Sequence, residues 1–259
     1  MIDSLYIGAT GLQAQQANVN AISNNLANVN TPAYKRARVA FQDMFYRELS
    51  RAGAADVPQQ LRQAVGTGVG ILSTSKVFVD GDLVKTDDLM DVAIRGDGFL
   101  EVALPDGSLG YTRGGHLQVT KDRLLASADG SVLHPQITVP ADMKSIMIDA
   151  DGKVHGLPRD GSKPVELGRL ELVRFDNPGG LQALSNNLYK ANADSGEPLA
   201  GEPSQDGFGS LAQGFTEGSN VKLVDEMVSL MVAQRAYEIN AKVIQASDEL
   251  MSMSNNLRR

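Results

Sequence analysis

Cysteine and tryptophan are both missing from this chain, and aromatics make up only 5% of it. Without cysteine there is no disulfide, no thiolate nucleophile and no Cys-ligated metal. Histidine occurs three times, at His116, His134 and His155, each isolated in sequence and none at metal-ligand spacing with another strong ligand. No apolar run approaches the ~18 residues of a membrane span. Met1-Ile2-Asp3 opens without the basic region and apolar stretch of a cleaved signal peptide. These absences point to a chain that is not inserted in a membrane and is either cytosolic or exported without a cleaved signal. The net charge is −7, and residues 52–220 carry −9 of it against +2 for 1–51 and zero for 221–259. With no basic face, nucleic acid is excluded as a partner.

Proline and glycine are absent from Val221 to Asn256, so nothing interrupts one helix of about 50 Å at 1.5 Å per residue. Ser219 or Asn220 is the expected N-cap, with Asp225 and Glu226 at the positive end of the helix dipole and Arg258 and Arg259 at the negative end. Leu223, Leu230, Tyr237, Ile244 and Met251 recur every seven residues. Val232, Ile239, Ala246 and Met253 form a second such series, about 200° around the helix. Val228, Ala236, Val243 and Leu250 widen it, which leaves Arg235, Glu238, Lys242, Gln245 and Glu249 as a narrow polar stripe. An ordinary surface helix buries a face of about 100°; this one is apolar over roughly half its circumference. It is either a core helix of its own domain or a helix with partners on at least two sides. A seven-residue repeat favours left-handed supercoiling with those partners.

The N-terminus repeats the pattern. Leu5, Leu12, Val19 and Leu26 are spaced by seven, with Ile22 and Val29 beside them. Gly8, Gly11, Asn18, Asn20, Asn24, Asn25 and Asn28 weaken the helix, which therefore depends on packing; Thr31-Pro32 ends it. The asparagines are either a solvated face or hydrogen-bonding groups at a helix interface. Two such helices are expected to pair and still leave apolar surface uncovered. That implies self-association through Leu5, Leu12, Val19, Ile22 and Leu26 at one end. At the other end the interface is Leu223, Leu230, Val232, Tyr237, Ile239, Val243, Ile244, Leu250 and Met251.

Between the helices the pattern changes twice. Residues 34–70 read as an extended arm: Lys35, Arg36 and Arg38 as a solvated turn, and Val39, Phe41, Phe45 and Tyr46 as anchors. Ser50 to Gly70 has no clear period, and structureless stretches of that length tend to be functional or mobile. Gly66-Thr67-Gly68-Val69-Gly70 lacks the Lys-Ser/Thr ending of a phosphate loop, and a β-like run follows it, so nucleotide binding is excluded. From Lys76 to Tyr189 Asp-Gly recurs at Asp80-Gly81, Asp97-Gly98, Asp106-Gly107, Asp129-Gly130, Asp151-Gly152 and Asp160-Gly161, each a tight-turn signal. The runs between them (Val92–Ile94, Phe99–Leu104, Leu117–Val119, Ile137–Val139, Ile146–Ile148, Leu167–Phe175) are short strands. Ala191–Phe208 is a return loop. The expected fold is α+β: residues 1–33 and 219–259 as a coiled-coil stem, 34–70 as the arm, and 71–218 as an all-β, sandwich- or barrel-like domain.

Chemistry is sparse. Asp149-Ala150-Asp151-Gly152 resembles part of a calcium loop but lacks the third acidic position and closing Glu. Asp87, Asp88 and Asp91 read as solvated carboxylates, and no Ser stands in a Gly-x-Ser-x-Gly context. The chain is read as structural, without cofactor or metal. The lesser alternatives are an enzyme on cell-wall glycan using paired carboxylates and a membrane-surface protein anchored by its amphipathic ends.

The motifs themselves are specific. Ser23-Asn24-Asn25-Leu26-Ala27-Asn28-Val29-Asn30-Thr31-Pro32-Ala33-Tyr34-Lys35 resembles the N-terminal signature of the bacterial flagellar rod and hook proteins, with Ala33 where that family usually has Gly. Gln213–Val221 and Ala233-Gln234-Arg235-Ala236-Tyr237-Glu238-Ile239-Asn240 resemble its C-terminal signature. Asp91–Phe99 and Tyr111-Thr112-Arg113 match its middle, so the resemblance covers nearly the whole chain. Phe41–Tyr46 through Gly66–Val69 is most similar to the distal-rod members, with proximal-rod relatives of like size as the alternative.

The resemblance implies terminal helices forming an inner tube, a β domain forming the outer wall, and no enzymatic activity. The implied partners are further copies of the chain, proximal rod proteins, the hook protein, the envelope-ring bushing and the flagellar export apparatus. The implied place is the basal body, in a rod that crosses the periplasm and transmits torque from motor to hook after export without a cleaved signal. Lack of cysteine suits a chain that travels unfolded and then sits in an oxidising compartment.

Overall fold

The computed structural model describes residues 2–45 and 66–256. It divides the chain into two units: Met1–Ala27 with Ala37–Ser75 and Lys222–Arg259, and Asn28–Arg36 with Lys76–Val221. The α+β reading holds at this level, with helices at both termini and an all-β body between them.

The first unit contains α1 (Ile2–Ala27), α2 (Leu223–Asn256) and a two-stranded sheet of β1 (Ala37–Phe45) and β2 (Gly66–Lys76). The helices pack antiparallel: Gly8 meets Ile244, Gly11 meets Asn240 and Asn25 bonds Glu226, so numbers rise on one as they fall on the other. On α2 the seam steps by four and three through Glu226, Leu230, Ala233, Tyr237, Asn240, Ile244, Ser247 and Met251. Of these Glu226, Ala233 and Ser247 are buried. The apolar seven-residue series beginning at Leu223 therefore supplies only alternate seam positions. Small or polar residues fill the others, and an apolar pattern cannot reveal them.

On α1 the glycines prove to be contact points. A Cβ on Gly8 would lie 2.7 Å from Ile244 Cγ1, and one on Gly11 3.0 Å from Asn240 Nδ2. Their helix-propensity cost of about 1 kcal/mol each is what allows the two backbones to approach. Two details differ from expectation. Helix α2 starts beyond Lys222, whose carbonyl accepts from Glu226 N–H. Neither proposed cap serves it: Ser219 Oγ accepts from Val221 N–H, while the Asn220 side chain bonds Arg36, Val77 and Val79. The stretch read as an arm contains β1 and the first five residues of β2; its residues 46–65, and with them most of Ser50–Gly70, lie outside the described residues.

The second unit holds β3 (Leu83–Lys85), β4 (Asp91–Arg95), β5 (Phe99–Ala103), β6 (Leu109–Thr112), β7 (Gly114–Val119), β8 (Leu125–Ser127) and β9 (Val132–His134). Next come β10 (Met143–Ile148), β11 (Lys153–Pro158), β12 (Val165–Arg169), β13 (Leu172–Arg174), β14 (Gln182–Ala183), β15 (Leu188–Lys190), β16 (Leu199–Gly201), β17 (Ser210–Gln213) and β18 (Phe215–Glu217). An antiparallel sheet of eleven strands follows the order β14-β15-β6-β5-β9-β8-β7-β4-β17, with β13 paired to β5 and β16; β10-β11-β12 and β18-β3 form smaller sheets. Four Asp-Gly pairs make the turns their chemistry suits. The Asp106, Asp129 and Asp160 carboxylates accept from the N–H and hydroxyl of Ser108, Ser131 and Ser162, while that of Asp151 accepts from Lys153 N–H.

Three expectations fail locally. Gly81 is not at a hairpin tip but presses on Gly218 O, leaving no room for a Cβ. Ile137–Val139 forms no strand beyond one bridge, Leu124 to Thr138. Leu167–Phe175 splits into β12 and β13 around the fully buried Leu170. The core is aliphatic (Val92, Ile94, Leu100, Val102, Leu125, Leu133, Leu172), with a separate aromatic cluster. In that cluster Phe78, Phe99, Tyr111, Phe175 and Tyr189 meet edge to face.

Candidate assembly surface and a buried charge cluster

The face of α2 turned away from its seam is the reverse of a water-facing helix. Val224, Val228, Met231, Val232, Ile239, Val243, Leu250 and Met253 are all exposed, Val224 at 71%, Val232 at 64% and Ile239 at 60%. Large apolar residues face outward while Glu226 and Asn240 point into the seam. The polar stripe, Arg235, Glu238, Lys242, Gln245 and Glu249, is exposed as expected. On α1 Leu5, Leu12, Val19 and Leu26 are half-buried, flanking a seam in which Ile22 and Asn25 are buried. Leu223 and Tyr237 are exposed, and Leu230, Ile244 and Met251 half-buried.

Among the asparagines the structure separates the two readings. Asn25, 1% exposed, is an interface group: its Nδ2 donates to Ala37 O (2.9 Å) and Glu226 Oε2 (3.2 Å), and its Oδ1 accepts from Ala37 N–H (2.8 Å). One side chain thus fixes the start of β1 against both helices. Asn20 is exposed and bonds Gln16, whereas Asn28 Oδ1 accepts from the Thr31 hydroxyl. Asn24, Ala27, Gln234 and Arg235 are exposed; Ala236 and Asn240 are half-buried.

In the second unit lies a feature that sequence reasoning missed. Lys35, expected in a solvated turn, is 0% exposed. Its Nζ donates to Glu217 Oε1 (2.5 Å) and Val79 O (2.8 Å). The buried Glu217 carboxylate also accepts from Gly81 N–H (2.9 Å) and Arg113 Nε (3.2 Å). Arg113 donates on to Asp80 and to the carbonyls of Gly96 and Gly98. Lys35, Arg113 and Glu217 each sat within a recognised motif, but their separation in sequence gave no sign that they converge. Ala33, beside them, adopts φ +56°, the left-handed region that favours glycine, and its N–H donates to Glu217 O.

Burial drives the Glu217 carboxyl up, but the Arg113 and Lys35 charges and the Gly81 N–H outweigh it and hold it below the ordinary 4.5. A carboxylate with a depressed native pKa contributes stability that is full above its unfolded value and lost as pH falls through the native one. The part of the β unit's stability that Glu217 contributes is therefore expected to be full above about pH 4.5 and to fall away below it. In Glu217→Gln that acid-dependent part is expected to shrink. Denaturant melts of both proteins between pH 3 and 7 check this, and equal pH slopes below 4.5 would count against it.

The histidines are not isolated in space. Cross-strand register sets His116 Nδ1 2.9 Å from Asp91 Oδ1 and His134 Nδ1 2.8 Å from Glu101 Oε2; His155 lies 3.2 Å from Asp149. Asp88 joins Asp91 and His116, with ligand atoms of the three within 4.8 Å of one another. Asp88 and His116 are exposed, and surface carboxylates gather in this way without a ligand. Among the described residues no helix is long and apolar enough to cross a membrane.

Three family models match the chain. Residues 5–35 match a flagella basal body rod protein, 93–156 the D1 domain of the flagellar hook protein FlgE/F/G, and 212–257 the C-terminal part of the flagellar basal body rod FlgEFG protein. The chain is 43% identical to the flagellar basal-body rod protein FlgG of Borreliella burgdorferi, over 100% of both chains. It is 42% identical to FlgG of Buchnera aphidicola over 99% of this chain and 100% of that one. With FlgG of Bacillus subtilis it shares 35% identity, again over 100% of both.

Proposed function

The chain belongs to the FlgG-type flagellar basal-body rod proteins, and from that membership we propose how its surfaces build the rod. It is a structural subunit of the bacterial flagellar distal rod. The terminal helices assemble with those of further copies into a coiled-coil inner tube: Ile22, Leu230, Tyr237, Ile244 and Met251 join α1 to α2 within each chain, and Leu5, Leu12, Val19, Leu26, Leu223, Val232, Ile239, Val243 and Leu250 meet the neighbouring copies. The observation that carries this reading is the uncovered apolar face of α2. Exposed apolar surface of that extent marks an interaction site, and its length along α2 fits helices of other copies better than a small ligand.

The sandwich- or barrel-like β unit forms the outer wall. Proximal rod proteins adjoin the tube at one end and the hook protein at the other, with the envelope rings around it. The chain reaches the periplasm through the flagellar export apparatus and transmits torque without catalysing a reaction.

Because every second seam position on α2 is small or polar and α1 meets it through Gly8 and Gly11, the pair gains less from burial than an all-apolar seam would and is expected to order fully only on assembly. Hydrogen exchange on dilute protein is expected to show fast exchange over Val228–Ile244 and slow exchange in β5 and β9. Strong protection of Val228–Ile244 would refute coupled ordering. The assembly itself is tested by electron microscopy of the concentrated protein, where hollow tubes are expected and persistent monomers would overturn the reading.

A further inference from the structure

We infer that the Lys35–Glu217–Arg113 cluster is the anchor through which mechanical load enters the β unit, an inference that rests on the torque-shaft reading above. The bounds of the two units place every peptide connection out of the β unit beside Asn28, Arg36, Lys76 or Val221. The segments ending there are bound to one another rather than left as separate strands. Ala33 N–H donates to Glu217 O (2.7 Å), Val77 N–H to Arg36 O (2.9 Å), and Asn220 N–H to Tyr34 O (3.3 Å). Lys76 Nζ donates to Lys35 O (2.9 Å), and the Asn220 side chain joins Arg36 N–H to the carbonyls of Val77 and Val79. Glu217 lies at the centre, held by Lys35 from the first segment and by Gly81 N–H from the second. Arg113, itself bonded to Gly96 and Gly98, ties it to the body of the unit.

Stability alone does not account for this choice of residues. A buried ion cluster is often no more stable than apolar residues of the same volume. What it adds is direction: apolar contact is non-directional and permits sliding, whereas charge-assisted hydrogen bonds fix geometry. Three chain segments joined at one carboxylate resist being drawn apart singly, as a twisting shaft requires. An apolar plug would let each segment shear independently.

The test compares the full-length chain with Glu217→Gln and with Lys35→Met, in two measurements. In hydrogen exchange on the purified protein, Glu217→Gln is expected to accelerate the amides of Ala33, Val77, Gly81 and Asn220 at least tenfold more than those of β5 and β9. Lys35→Met is expected to give a smaller effect of the same sign. In cells lacking the native chain, Glu217→Gln is expected to restore a normal number of flagella that stall at high viscous load but turn at low load. Equal acceleration of segment and sheet amides, including outright unfolding by Glu217→Gln, makes the cluster ordinary core and overturns the inference. So does undiminished rotation at high load. Failure of the underlying reading is seen separately: cells without the chain would still build rotating flagella.

Discussion

Ile239→Asp is expected to abolish polymerisation while leaving the free chain folded as before. Ile239 is 60% exposed and lies outside the α1–α2 seam, so in the monomer its replacement exchanges one water-facing side chain for a better solvated one. In the tube proposed above the same position would be desolvated. An unpaired carboxylate there costs several kcal/mol per subunit, on the order of the effective burial penalty, and the cost recurs at every copy. Val232→Asp is expected to behave likewise, and Glu249→Ala, on the polar stripe, to be mild. Ile244→Asp is a different experiment, since Ile244 packs on Gly8 within the chain and its loss weakens the monomer's own helix pair. Sedimentation velocity and electron microscopy on matched samples read the outcome. Tubes at normal yield from Ile239→Asp would refute assembly through this face.

Gly8→Leu is expected to separate α1 from α2 and, through that, to block assembly. Its Cβ alone would sit 2.7 Å from Ile244 Cγ1, closer than real side chains approach, and 3.3 Å from its Cδ1, and the rest of the leucine adds bulk at the same contact. Overpacking of this kind costs about 1–3 kcal/mol, against a gain of about 1 kcal/mol from removing a helical glycine. The net loss falls on a seam half of whose α2 positions are small or polar, which leaves it little stability to spare. Gly8→Ala places a single methyl at the same point and is expected to be milder, because the Ile244 side chain can yield. Circular dichroism during assembly, with tube yield as the second reading, distinguishes them. Normal helix content and yield in Gly8→Leu would show that the close approach is dispensable.

The sequence alone determined the two terminal helices and the β character of the stretch between them, though not each strand. An uninterrupted apolar period from Val221 to Asn256 has no other stable form than a helix, and Asp-Gly spaced through short β-branched runs gives antiparallel strands with tight turns. It also determined that the helices carry more apolar surface than one chain can cover, because amphipathic width is a property of composition around a 100° step. Partnership across the fold it left open. Apolar periodicity marked Leu5, Leu12, Val19 and Leu26 with Ile22 beside them; of these only Ile22 is buried in the seam, which otherwise runs through Gly8, Gly11 and Asn25, since close backbone approach needs small residues and no hydrophobic pattern records smallness. Lys35 read as solvated because charges usually are; only tertiary structure brings Glu217 and Arg113 to it, and an ion is tolerable in a core when its counter-ions arrive with it. Strand register likewise, not spacing, set His116 beside Asp91 and His134 beside Glu101, because pairs 25 and 33 residues apart meet only once the sheet has fixed which residues stand opposite.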